Sequence, residues 1–248
     1  MMPLAIAGAL VVLLPLAGLV GRVELSDLGG LVSSPAAATA LGLSLRTAAV
    51  ATVLVVALGV PLAFALHAMR GAVRAVARAL VLIPLVLPPV VGGLALLYAF
   101  GRRGLLGEAM GGSLAFTTTA VVLAQAFVAL PFMVVAVESA LAARTGRHEA
   151  VAATLGASRT RILATVTLPA LGPALATGAV LAFARALGEF GATLTFAGSL
   201  EGVTRTAPLE VYLARETDPG AAAALSLVMV AIAIVVVAVA YRPVGSAR

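Results

Sequence analysis

The sequence predicts an all-α protein that crosses a membrane about six times, a polytopic membrane fold, and three observations predict it. Of its 248 residues 62% are hydrophobic and only 10% charged, against about 45–50% and about 25% in a soluble domain. That leaves too few polar groups to cover a water-facing surface. Six apolar stretches approach or exceed the roughly 20 residues that carry a helix across a bilayer core. None of them alternates in the manner of a membrane β-strand, which argues against a barrel.

In chain order the spans are Met2–Val20, Ala48–Leu66, Ala79–Phe100, Phe116–Val137, Leu171–Ala197 and Ala221–Tyr241. The first has the length of a signal peptide, but it lacks a basic leading segment and a clear small-residue cleavage site after Leu19, so it is read as a span. The third carries Pro84, Pro88 and Pro89, which remove three backbone donors and force a local departure from helix. Irregular backbone at membrane depth is tolerated where it is buried in protein or lines a wet cavity, so this span is expected to border a pathway. Gly92 and Gly93 behind it would let another helix approach closely. Gln125 and Glu138 in the fourth span read as interhelical or boundary contacts.

The chain has no cysteine, which excludes disulfides, thiolate metal sites and thiol chemistry. It also has no lysine, so it cannot form a Walker A phosphate loop. His67 and His148 sit beside Arg70 and Arg147 with no carboxylate cluster near them, and read as interfacial or docking positions rather than metal ligands. No catalytic constellation is visible. The net charge of +6 comes from arginines scattered between apolar runs rather than gathered in a nucleic-acid-binding stripe.

Arginine placement gives direction. Nine arginines lie in the loops after spans two and four and in the C-terminal tail: Arg70, Arg74, Arg78, Arg144, Arg147, Arg159, Arg161, Arg242 and Arg248. Six lie in the other loops: Arg22, Arg46, Arg102, Arg103, Arg205 and Arg215. Basic loops stay cytoplasmic, so both termini and the loop at 141–170 are expected inside. The acids Glu24, Asp27, Glu108, Glu201, Glu210, Glu216 and Asp218 fall on the opposite side, in keeping with this.

That cytoplasmic loop contains the punctuation of two short helices. Thr145 can cap the first, and Glu149 lies in its first turn, where negative charge suits the helix dipole. Gly156 stands where a left-handed residue ends a helix. Ser158 can cap a second helix through Arg161, Ile162 and Val166, and Pro169 marks the approach to the next span. Such a compact piece is a docking knob or an ordinary linker.

The series Glu149, Ala150, Val151, Gly156, Val166, Leu168 and Pro169 resembles the coupling-loop motif of ABC importer permeases. Val151 replaces the usual Ala and Val166 the usual Ile, while the spacings match. Residues 82–107, the "FARALGEFGATLTFAG" stretch at 183–198 and "TRTAPLEVYL" at 204–213 resemble permeases for tetrahedral oxyanions, the molybdate or tungstate family most closely. The resemblance covers residues 40–240.

It implies that residues 1–248 form a single transmembrane permease domain, an inner-membrane half-pathway that pairs with a second copy as a homodimer. Glu149, Ala150, Val151, Gly156, Ala157 and Ser158 would couple it to separate ABC ATPase subunits, which bind ATP and Mg. An extracytoplasmic binding protein would deliver molybdate or tungstate. The chain itself would hold no cofactor and perform no chemistry on the substrate. A sulfate or thiosulfate permease is the alternative within the family. An ion-coupled carrier or integral-membrane enzyme working alone is the rival outside it.

Pro84, Pro88, Pro89, Gly92, Arg185, Glu189 and Thr193 are the expected pathway or gate residues. Arg185 and Glu189 are four apart on span five and share a helix face. Ionisable groups at this depth face the bundle interior with a partner. Arg185 as a station for the anion and the two as a structural ion pair both remain open, although Glu189 would repel a dianion. Thr193 and Thr195 either offer donors to a passing oxyanion or bond back to their own helix.

Overall fold

The computed structural model describes residues 2–23, 29–30, 34–107, 109 and 112–240. Glu24, Asp27, Glu108, Arg242 and Arg248, and the expected end of the last span at Tyr241, lie outside the described residues. Among those described the regular elements are all helical. They are α1 (Met2–Val20), α2 (Pro35–Ala68), α3 (Gly71–Val86), α4 (Pro89–Phe100), α5 (Thr118–Ala142), α6 (Arg147–Thr154), α7 (Arg159–Ile162), a π-turn (Leu163–Thr167), α8 (Leu168–Leu187), α9 (Gly191–Ala197), α10 (Ala207–Thr217) and α11 (Pro219–Ala240). Among the described residues five helical stretches are long and apolar enough to cross a membrane, and counting the bent pair α3–α4 as one span makes six.

The second span begins well before Ala48. Ser34 accepts a hydrogen bond from the Ala37 N–H and Pro35 opens the first turn, so the Ala-rich segment behind them is helical. The 34 residues of α2 reach about 51 Å, beyond a bilayer core of about 30 Å. Its first part packs on α10 and α11: Ala37 clusters with Ala207 and Leu225, and the Ser44 hydroxyl accepts the Ala207 N–H at 2.7 Å.

The third span is two helices, not one, with a bend of 116°. Leu87 and Pro88 each precede a proline, which disfavours the helical region, and both are extended, with ψ of 133° and 132°. Pro84, by contrast, stays inside α3 and does not end it. The fifth span is also interrupted. It stops at Leu187 and resumes at Gly191, with Gly188, Glu189 and Phe190 between.

The main core lies where α5 meets α2 and α8, and small residues set its spacing. A side chain at Gly59 of α2 or at Gly178 of α8 would stand 3.0 Å from the Met133 side chain, so Met133 of α5 fits between two glycines. A second core joins α4, α5 and α9 around Leu96, Val121 and Phe196. The end of α5 and the start of α8 meet through Glu149, and the residues just before α5 meet the end of α9 where Phe116 N–H donates to Phe196 O at 3.3 Å. Helix α5 therefore runs antiparallel to the α8–α9 span. Helix α1 has no buried residue and packs along α11.

Candidate functional site

Three groups of polar or irregular residues stand out of this apolar bundle, one at each break and one in the loop at 141–170.

In the loop, Gly146 rather than Thr145 stands at the start of α6. Its φ of 67° lies in the left-handed region, and no side chain caps the helix. Gly156 ends the knob with φ of 81°, as its position suggested, and Ser158 accepts from the Arg161 N–H at 3.3 Å. The second helix does not end before the next span. Residues Arg159–Leu187 form one continuous 29-residue helix. Pro169 would remove a bond and clash inside an ordinary helix. The π-turn just before it accommodates this by widening, with Leu168 N–H donating to Leu163 O.

Glu149 does more than face a helix dipole. Its Oε1 accepts from an Arg144 guanidinium N–H, just past α5, and from Thr167 Oγ1 at 3.2 Å, the last residue of the π-turn. Its carboxyl is held below the ordinary value, first by its own backbone N–H and then by Arg144. Beside it, Val151 and Leu155 present apolar side chains to solvent, 54% and 81% exposed. His67 and His148 are exposed.

At the breaks, α4 lies directly on α9. A Cβ at Gly93 would overlap Thr195 Oγ1 and come within 2.8 Å of Ala192 O, and one at Gly191 would meet Pro89 Cβ at 2.8 Å. Gly92 similarly leaves room for Phe127, whose Cε1 would stand 3.0 Å from a side chain there. The two broken spans thus meet at their discontinuities, Pro88–Pro89 against Gly191.

Arg185 and Glu189 form an ion pair at 2.7 Å. Glu189 lies beyond the end of α8, is 1% exposed, and also accepts the Ala192 N–H at 2.7 Å, so it bridges the break. Thr195 bonds back to Gly191 O at 2.9 Å. Thr193 does not: its hydroxyl is fully buried without a partner, as are both amide atoms of Gln125 on α5. Buried polar groups of this kind are costly unless satisfied. Counting up the antiparallel pair from the Gly178 contact with Met133 and Ala136, at equal rise per residue, brings Gln125 level with the end of α8.

Glu138 of α5 is gripped by Arg74 at 2.7 Å and Arg78 at 3.1 Å, both on α3. It is an interhelical contact, as expected, but its partners went unnoticed. The four-residue spacing of Arg70, Arg74 and Arg78 was the available signal. At the opposite end Arg205 pairs with Glu201 and Glu210, both at 3.4 Å, and Arg215 lies over the Tyr212 ring.

This fold and site define a class: a multi-spanning membrane permease with two broken helices that meet at their breaks and a helical knob at one end. The inner membrane component of binding-protein-dependent transport systems is the family whose pattern matches residues 56–242, and the chain belongs to that family. The molybdenum transport system permease protein ModB of Mycobacterium tuberculosis is 56% identical over 223 residues, 89% of this chain and 84% of that protein. ModB of Escherichia coli is 41% identical, covering 73% and 81%. A probable molybdenum ABC transporter permease of Haloferax volcanii is 39% identical, covering 85% and 77%. Among solved structures, a bacterial alginate ABC transporter superposes with TM-score 0.76 at 15% identity, covering 96% and 90%. An inward-facing MetNI methionine ABC transporter gives 0.64 at 17%, covering 81% and 91%. At those identities the likeness concerns the fold.

Proposed function

We propose that this chain is the membrane permease of an ABC importer for molybdate, with tungstate as a second substrate of the same geometry. The observation that carries this is the 56% identity to a molybdenum permease across most of both chains. In this reading residues 1–248 are one permease domain. Separate ATPase subunits dock on the α6 knob, the coupling segment of Glu149, Ala150, Val151, Gly156, Ala157 and Ser158, and they hold the ATP and Mg. This chain binds no cofactor.

A second copy completes the pathway. The broken α3–α4 span supports that pairing, because Val76, Leu80 and Val86 on its uncovered face are 60%, 61% and 86% exposed. A binding protein delivers the anion at the outer face, near Arg205 and Arg215. The chain sits in the cytoplasmic membrane of a bacterium or archaeon with both termini inside.

Pathway or gate roles fall to Pro84, Pro88, Pro89, Gly92, Arg185, Glu189 and Thr193. The Arg185–Glu189 contact favours a pair that sets the shape of the break over a free cation for the anion, since its charge is already matched. Closure of the ATPase dimer on ATP turns the pathway outward, and hydrolysis returns it inward. Movement of α4 against α9 would open or seal the route. Transit needs weak contacts, because tight binding would prevent exit.

The test is ATP hydrolysis by the reconstituted complex with its binding protein offered molybdate, tungstate or sulfate. Stimulation by molybdate is expected. Stimulation by sulfate alone would reassign the chain to the sulfate permeases, and uptake with no ATPase subunit present would overturn the importer reading.

A further inference from the structure

Glycines stand at both ends of the knob. Gly146 and Gly156 both have positive φ and open space where a side chain would be. At Gly156 the Gly156 N–H to Ala153 O and Ala157 N–H to Ala152 O bonds close the end of α6. Helix α6 has no buried residue. Among the described residues, the side-chain hydrogen bonds that tie it to the end of α5 and to the π-turn all converge on one carboxylate. Glu149 Oε1 ties the knob to Arg144 at the inner end of α5 and to Thr167 at the base of α8. Thr167 is 9% exposed and belongs to the continuous helix Arg159–Leu187. That rod is about 43 Å long, and its far end is the Arg185–Glu189 break against α4.

We infer that Glu149 is an internal clasp, which makes the α6 knob, the end of α5 and the α8 rod move as one body and so carries motion of the knob to the break in span five. The inference rests on the coupling role proposed above. It assigns Glu149 a positioning role inside the chain instead of a contact with the ATPase subunit, and it adds Arg144 and Thr167 to the coupling machinery. Without the clasp no side-chain hydrogen bond ties the knob to α5 or to the rod, and force applied to it is lost before it reaches the membrane.

The experiment uses the full complex in proteoliposomes and measures ATP hydrolysed per molybdate imported, beside co-purification of the ATPase subunits. Thr167→Val keeps the volume and removes one donor to a charged acceptor. It is expected to raise the ratio about tenfold while co-purification stays as in the unaltered complex. Arg144→Gln is expected to do the same. A cross-link then separates a mechanical role from a merely stabilising one. In the Glu149→Cys, Thr167→Cys double variant, made in a chain with no cysteine of its own, the reduced protein should be uncoupled. Bridging the two thiols with a short thiol-specific cross-linker should restore coupling, because parts that move together tolerate a covalent tie.

Bridging that blocks uptake would show that the knob moves relative to α8, and would overturn the clasp. So would an unchanged ratio in Thr167→Val and Arg144→Gln. Loss of ATPase binding in Glu149→Gln alone, with the other two unaffected, would place the carboxylate on the partner and also overturn it. Failure of the unaltered chain to bind any ATPase subunit would defeat the coupling reading itself, an outcome distinct from these.

Discussion

Both oxygens of Glu189 are committed, one to Arg185 and one to the Ala192 N–H, in a site 1% exposed. Its partner is 29% exposed and keeps some access outward. The two halves of the pair are therefore unequal. Arg185→Gln leaves a buried carboxylate with a single donor and is expected to cost about 3–5 kcal/mol. Glu189→Gln keeps an acceptor for Ala192 and strands a cation that is 29% exposed and so less enclosed than the carboxylate, so its cost is smaller. The double change should recover part of the loss. Thermal unfolding of all four proteins in detergent gives the coupling energy, and additive losses would argue against the pair. Glu149 gives a pH expectation of definite sign. Its depressed pKa means its contribution is complete above the ordinary carboxyl value of 4.5 and is lost only as pH falls through the lower folded value. Amide exchange in α6, corrected for its intrinsic pH dependence, should stay level from about pH 8 to about pH 5 and rise only below that. A rise near neutrality would mean that a different group holds the knob.

Helix packing sets a second expectation, through glycines that differ in their surroundings. At Gly93 a side chain would overlap Thr195 Oγ1 and meet backbone as well, Ala192 O at 2.8 Å and Ala192 Cα at 2.9 Å, so turning Thr195 away is not enough and α4 must move off α9. Gly93→Ala should cost about 1–3 kcal/mol, whereas Gly42→Ala, in a helix with open space around it, should gain about 0.5–1 kcal/mol. Melting temperatures of the two variants in detergent check the opposite signs. The close approach at Gly93 was legible because two adjacent glycines follow two adjacent prolines. The break in span five was not, since "LGEFG" keeps the apolar count of a span while its two glycines loosen the helix. The early start of α2 was missed for a related reason. Residues 35–47 are fixed by a cap and by contact with α10, neither of which a search for apolar length detects. Gly156 and Ser158 were readable because a left-handed position and a cap are local. The clasp was not, because Glu149 meets Thr167 across 18 residues and a bend.

Charge divides the whole molecule into two ends. Seven described arginines, from Arg70 to Arg161, gather where α3 begins, α5 ends and the α8 rod starts, with only Glu138 and Glu149 to oppose them. At the other end Arg22, Arg46, Arg102, Arg103, Arg205 and Arg215 face Glu201, Glu210, Glu216 and Asp218. Since arginine retention sets orientation, the first end should be cytoplasmic, and a chain without cysteine allows single-site labelling to test it. Burial decides the probes. Gly107 is buried, and a side chain there would run into Gly101 O, while the Ser199 hydroxyl is enclosed. Leu200 is 52% exposed at the outer end. Ala72 is exposed at the inner end and lies apart from the knob, so a docked ATPase would not mask it. An impermeant thiol reagent added to intact cells should label Leu200→Cys and spare Ala72→Cys, and opening the cells should make Ala72→Cys reactive. Labelling of Ala72→Cys from outside would turn the molecule over. It would place the α6 knob and the Glu149 clasp on the side without ATP, so no ATPase subunit could drive them.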